Sequence, residues 1–180
     1  MPTYNTFEIL PVLPYNCITY LMDNSSLAWK LLAYNDANAW KDDSDHPALT
    51  KAQKGALVYD GVKNMSSCRV FMTTGIDSAW VEQTCQLRIS VVEVNPVNTV
   101  YGNITLGMEI YPHSSVSQLS NYQTRADTLA QELISVFNGA EIGALGKLFF
   151  DASRNPRSKV SVIGTPPFIG KGLVFVNWAV

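Results

Sequence analysis

An apolar stripe over residues 125–137 is the clearest pattern in the chain. Apolar side chains recur there at the three- and four-residue spacing of a helix that buries one side. Thr124 supplies a capping side chain at the start, and Asn138-Gly139 supplies a stop. The sequence therefore predicts one principal packing helix, whose buried stripe is Ala126, Leu129, Ala130, Leu133, Ile134 and Phe137.

Residues 84–111 follow a period of two, which is typical of strands with one buried face. Leu87, Ile89 and Val91 lie opposite Arg88 and Ser90, and the segment "NPVN" then makes a turn. The returning run places Val100, Ile104, Leu106, Met108 and Ile110 on one side and Tyr101, Asn103, Thr105 and Glu109 on the other. This pattern predicts a long hairpin, with the principal helix lying across its buried face.

Two shorter helices are predicted before the hairpin. Residues 25–35 follow the capping residues Asn24 to Ser26, and residues 50–60 begin with Thr50 and Gln53 at capping-box spacing. The first 16 residues contain three prolines, which disfavour helix, so the sequence predicts an extended N-terminal arm over residues 1–16 and one domain over 17–180.

Three further segments are predicted to complete the sheet, over residues 68–74, 145–151 and 172–180. The last is apolar on both faces, so it is expected to be an interior strand or to be covered by another subunit. The predicted fold is α+β, a single domain with a mainly antiparallel sheet, a long hairpin, one principal packing helix and two short N-terminal helices.

Composition adds constraints on the function. A chain of 180 residues suits one domain, and a formal net charge of −2 argues against a protein whose whole surface binds polyanions. The one dense basic cluster is Arg154, Arg157 and Lys159, which is predicted either to face an acidic partner or DNA, or to be a solvated loop. The N-terminus has no secretory signal and no membrane span, so a cytosolic product without membrane contact is expected.

Candidate sites for ligands are weak. "GTPPFIGKG" (residues 164–172) has five residues where a phosphate-binding loop has four and a glycine where it needs Ser or Thr, so a turn before the last strand is predicted. The acidic segment around His46 lacks the spacing of a calcium loop and is expected to be solvated. Cys17, Cys68 and Cys85 are predicted to be buried thiols, and neither a metal nor a cofactor is expected.

Candidate catalytic groups are equally sparse. His113 stands beside Ser114 and Ser115, but no serine occupies a strand-to-helix turn of the hydrolase type. Glu93 and Glu109 fall on the polar side of their strands, and the four tryptophans favour packing or interface anchoring over a stacking platform. No catalytic residue is assigned. A small hydrolase or ligand-binding enzyme with a site near His113 stays open as the alternative.

The order of these elements resembles that of tailed-phage neck proteins of the tail-terminator, head–tail connector or tail-completion type, over roughly residues 20–180. The resemblance implies a structural subunit without catalytic residues, part of a homo-oligomeric ring around the DNA channel between portal and tail. It implies portal, tail proteins and passing DNA as partners, and assembly in the host cytoplasm into the virion neck. Docking would use loops and sheet extension, and the N-terminal arm is expected to serve as a partner-binding strand.

Overall fold

The computed structural model describes residues 6–73, 82–98, 102–143, 146–153 and 158–178. Its helices are α1 Thr6–Ile9, α2 Leu13–Asn24, α3 Leu27–Ala33, α4 Lys51–Ala56 and α5 Arg125–Phe137, with short 3₁₀ turns at Met65–Ser67 and Ser114–Val116. Its strands are β1 Val70–Phe71, β2 Cys85–Pro96, β3 Gly102–Pro112, β4 Lys147–Phe149, β5 Val160–Thr165 and β6 Phe168–Trp178.

The six strands form one mixed sheet in the order β1-β2-β3-β6, and β4 and β5 share the far edge of β6. β1 runs parallel to β2, whereas all other pairs are antiparallel. The predicted single-domain α+β class with a mainly antiparallel sheet is confirmed. Within the described ranges, no helix is long and apolar enough to cross a membrane.

The long hairpin and the principal helix are confirmed. β2 and β3 pair in a register that sets Ile89 opposite Met108, and both side chains are fully buried. α5 begins where Thr124 accepts a hydrogen bond from the Asp127 N–H, and it ends before Gly139, whose φ is +83°. It packs its apolar stripe on β3 and β6, while α2 and α3 cover β2 on the same face of the sheet.

The two short helices are also confirmed, although both are shorter than expected. α3 covers residues 27–33, and α4 covers 51–56 behind the Thr50–Gln53 capping box that the sequence indicates.

The predicted extended arm is wrong over the described residues 6–16, and residues 1–5 lie outside the described part. Residues 6–9 form α1, and α2 begins at Leu13 with Pro14 in its first turn. A proline there removes no intrahelical hydrogen bond, because the first N–H groups of a helix have no partner. Leu13, Cys17 and Ile18 are fully buried, so this segment belongs to the core rather than to a free arm.

The stretch from Gly164 to Gly172 is a tight β-hairpin rather than a long turn. Only Pro166-Pro167, joined by a cis peptide bond, forms the turn, while the flanking residues belong to β5 and β6. A Cβ at Gly170 would lie 1.7 Å from the Ile110 carbonyl oxygen, so the close approach of β6 to β3 requires glycine. β6 itself pairs with strands on both sides, which confirms the prediction of an interior strand.

Candidate functional site

The predicted basic cluster is described at one residue only, since Arg154 and Arg157 lie outside the described residues. Lys159 is exposed, and its carbonyl accepts a hydrogen bond from the Val174 N–H at 3.3 Å. This bond fixes Lys159 at the beginning of β5. A positively charged side chain therefore lies at the base of the β5–β6 hairpin.

The β5–β6 hairpin exposes apolar side chains on one face. Val160 pairs with Leu173, Val162 with Lys171 and Gly164 with Ile169, so these side chains share one side of the hairpin. Val160, Val162 and Ile169 are 43 %, 69 % and 51 % exposed. We call Val160, Val162, Ile169 and Lys171 the hairpin surface.

An ion pair ties the hairpin surface to α5. Lys171 Nζ lies 2.9 Å from Asp127 Oδ1, and Asp127 also accepts a hydrogen bond from the Thr124 hydroxyl at 2.5 Å. The Thr124 hydroxyl, followed by Lys171, lowers the pKa of Asp127. The charge of the hairpin surface is therefore locally balanced, and its exposed remainder is apolar.

A cleft of about 310 Å³ opens at the hairpin tip. We call it the proline cleft, and it is lined by Pro112, Ser114, Ser117, Pro166, Pro167 and Ile169. Ile169 belongs both to this cleft and to the hairpin surface. The cleft is mainly apolar, with two serines among the residues that line it.

His113 lies beside the proline cleft, and its side chain caps the N-terminal end of the 3₁₀ turn Ser114–Val116. Its Nδ1 accepts a hydrogen bond from the Ser115 N–H at 3.1 Å and lies 2.7 Å from Ser115 Oγ, while the ring packs edge-on against Phe168. A nucleophilic triad needs the second ring nitrogen oriented by a carboxylate, and no acidic side chain is bonded to this ring among the described residues. Ser115 and His113 therefore hold a 3₁₀ turn together.

Tyr122 is a surface feature that the sequence did not reveal. Its side chain is 95 % exposed, and its φ of +65° is the one left-handed value among the described non-glycine residues. It stands in the turn before α5, beside a shallow depression that includes Thr124 and Asp127. An exposed aromatic in this backbone region is uncommon enough to suggest a role.

Arg125 is the largest polar group that the sequence reasoning missed. Its guanidinium is fully buried and donates to the carbonyls of Val116, Leu31, Tyr34 and Asp36 at 2.6–2.7 Å. Burial lowers its pKa. A cation in the first turn opposes the helix dipole, and this was the one local signal that a tertiary role could hold it there.

The expected solvated loop is confirmed for the exposed residues 42–45 and is wrong for His46 itself. The residue is only 7 % exposed, and its ring nitrogens lie 2.8 Å from Asp43 and 2.9 Å from Asp36. The hydrogen bond to Asp43 is the main cause of its raised pKa, and Asp36 adds to it. No group of three metal-ligating side chains occurs in the described part of the chain. The two hydrogen bonds of the His46 ring hold the loop between α3 and α4 together, and we call this arrangement the His46 clasp.

The remaining candidates lie where packing places them. All three cysteines are free and buried, as predicted. Trp29 is buried with its indole N–H on the Leu21 carbonyl, and Trp40 donates to Ser120. Trp80 lies outside the described residues. Glu109 lies on the polar face of the sheet, where it accepts a hydrogen bond from the Tyr111 hydroxyl at 3.2 Å.

A comparison with family models gives one match. A model described as YomW matches residues 28–163, which contain the hairpin β2–β3, α5 and most of β5. No curated protein matches the chain.

Proposed function

The chain belongs to the YomW family, a phage-related family, and from this premise we propose that it is a structural subunit of a tailed-phage virion. In this proposal copies of the chain form a ring at the head–tail junction, as a tail terminator or connector, around the DNA channel. The chain acts as a binding and assembly protein, without a catalytic step or cofactor. Assembly takes place in the host cytoplasm, with portal and tail proteins as neighbours.

The exposed edge of the sheet is the observation that carries the proposal. β5 pairs only with β6 in the described part of the chain, and no charged residue or proline interrupts Val160–Thr165. Proteins that stay monomeric usually protect such an edge with charges, prolines or bulges. An unprotected edge beside apolar Val160 and Val162 favours a contact with a neighbouring copy.

This surface replaces the N-terminal arm as the proposed contact. Residues 6–16 pack into their own domain, and the apolar face that β6 buries is covered within the chain. Neither segment therefore needs a partner. The hairpin surface is solvent-exposed in the single chain, so a ring contact would remove its apolar area from water.

The basic cluster extends the proposal to a further partner. Arg154, Arg157 and Lys159 directly precede β5, so a contact through β5 brings this segment close to the junction between copies. We propose that the three side chains face an acidic protein or the passing DNA. Contacts with phosphates would be independent of base sequence.

The enzyme alternative near His113 gains no support from the geometry. The Nδ1 atom of His113 serves as a hydrogen-bond acceptor for the turn that it caps, and the adjoining proline cleft is lined by apolar rings and two serines. A hydrolase would instead need a base oriented toward a nucleophile.

The test compares two valines that are both exposed but differ in location. Val162→Glu places a charge in the hairpin surface, and Val62→Glu places the same charge in the loop after α4, where Val62 is 92 % exposed. We expect both variants to fold by circular dichroism. Only Val162→Glu should abolish rings in electron micrographs and incorporation of the protein into phage particles.

Two results would overturn the proposal. The first is entry of Val162→Glu into particles at the wild-type stoichiometry. The second is a wild-type protein that is absent from purified particles and stays monomeric.

A further inference from the structure

Tyr122 combines an exposed ring with a strained backbone. A side chain with a Cβ disfavours a φ of +65°, a conformation that glycine adopts freely. With 95 % of the residue exposed, burial within its own chain does not compensate for this strain. A tyrosine here is therefore a cost to the isolated fold.

The turn around Tyr122 holds the ring in a defined position. The Tyr122 N–H donates to the Leu119 carbonyl at 3.2 Å, and the Leu119 N–H donates to the Gln123 carbonyl at 3.0 Å. The Asn121 side chain accepts a hydrogen bond from the Gln123 N–H at 3.2 Å. A side chain presented on a fixed turn loses little backbone freedom on binding, which favours a role as an anchor.

The proline cleft has the chemistry to receive such a ring. Pro112, Pro166 and Pro167 offer apolar surfaces for the flat face of an aromatic ring, and Ser114 and Ser117 offer hydroxyl groups. Its volume of about 310 Å³ is at the lower limit for small-ligand pockets, which suits a single side chain. Tyrosine, with an apolar ring and a polar tip, matches this combination.

We propose that Tyr122 of one copy inserts into the proline cleft of a second copy. Its ring lies against Pro166 and Pro167, and its hydroxyl bonds to Ser114 or Ser117. This inference rests on the proposed function, because both require contact between copies, and Ile169 makes the cleft continuous with the hairpin surface. The anchor and the cleft are different sites of the chain, so the contact can repeat from head to tail and close a ring.

The first experiment separates folding from association. Tyr122→Gly removes the ring and relieves the backbone strain, so its melting temperature should equal or exceed that of the wild type. Its association constant in sedimentation velocity should fall at least tenfold, whereas Tyr122→Phe should lose only a few-fold. Val62→Gly, which removes another fully exposed side chain, should leave association unchanged.

The second experiment locates the contact. Benzoylphenylalanine in place of Tyr122 is mixed with a copy labelled with heavy nitrogen and then irradiated. Mass spectrometry should find cross-links from the unlabelled chain to residues 112–117 or 166–169 of the labelled chain.

The outcomes distinguish this inference from the ring proposal. If the wild type forms rings while Tyr122→Gly associates equally well, or if the cross-links map elsewhere, the anchor is wrong and the ring proposal stands. If the wild type is monomeric at every soluble concentration and absent from particles, both are wrong.

Discussion

The β2–β3 and β5–β6 hairpins follow the same alternating pattern, but they differ in how far their apolar side chains are buried. In β2–β3, Leu87, Ile89 and Met108 are fully buried beneath α2, α3 and α5. In β5–β6, Val160, Val162 and Ile169 point to the same side of the sheet and remain exposed. Alternation therefore identifies an apolar face, whereas burial depends on whether the chain supplies a helix to cover it. α5 covers Leu173 and Phe175 of β6, so the exposed part of this hairpin, Val160, Val162 and Ile169, is what is left available to another molecule.

Removing Arg125 should have the largest effect on the covered half. Arg125→Ala leaves the buried carbonyls of Val116 and Leu31 without this donor, and each buried unsatisfied group costs about 1–3 kcal/mol. It also removes the partly buried bonds to Tyr34 and Asp36, of which the Asp36 carbonyl keeps a 3.4 Å bond from the Ala39 N–H. We expect a loss of about 4 kcal/mol or more in urea unfolding, with a smaller loss for Arg125→Lys. A loss below about 1 kcal/mol would mean that the carbonyls find water instead.

A pair of apolar truncations tests the comparison directly. Leu133 is fully buried, so Leu133→Ala should cost about 2–5 kcal/mol of unfolding free energy. Val162→Ala in the uncovered hairpin should change it by less than about 0.5 kcal/mol. Both variants are measured by the same urea titration. Similar losses of unfolding free energy would show that the two hairpins do not differ in burial as described.

The His46 clasp should make the covered half sensitive to pH. The pKa of His46 is raised in the folded protein. The stability that His46 adds to the fold is therefore fully present below its ordinary pKa of 6.5, and it is lost as the pH rises through the folded pKa. The pKa values of Asp36 and Asp43 are lowered in the folded protein, so the pH dependence of their effect is opposite. The stability that these two carboxylates add is lost as the pH falls below about 3.8.

The advantage of the wild type over His46→Gln in melting temperature should therefore be greatest between about pH 4 and 6.5 and should shrink in mild alkali. Asp45→Asn, at a neighbouring acid not bonded to the ring, is the matched control. An advantage that is equal at pH 5 and pH 9 would show that protonation of His46 does not contribute.

The elements with complete local signals were predictable from the sequence. α5 has a capping threonine, an apolar stripe and a terminal glycine, and β2–β3 has sustained alternation. The sequence does not indicate α2, because Pro11 and Pro14 disfavour a helix interior, whereas a proline in the first turn is compatible with a helix. The sequence does not indicate β5 clearly, because its six residues stand between a basic segment and Pro166-Pro167.

The candidate surface depends on contacts that local patterns do not encode. The role of Arg125 follows from carbonyls that lie far from it along the chain, and the exposure of Val162 follows from the absence of a covering helix among the described elements. The left-handed backbone of Tyr122 has no signature in the residue itself. The roles of Arg154, Arg157 and Lys159 stay predictions.

The three buried thiols also give the molecule internal reporters of its own motions. Cys17 in α2 and Cys85 at the start of β2 belong to the main core that the helices cover, whereas Cys68, just before β1, packs with Phe71 in a separate small cluster. Burial raises the pKa of Cys17 and of Cys85 to about 12, which keeps these two sulfurs protonated and poorly nucleophilic at neutral pH. Alkylation can then proceed only as fast as the surrounding structure opens. The alkylation rate of each cysteine would measure how often the structure around that sulfur opens. Motions confined to the β5–β6 hairpin would not change these rates.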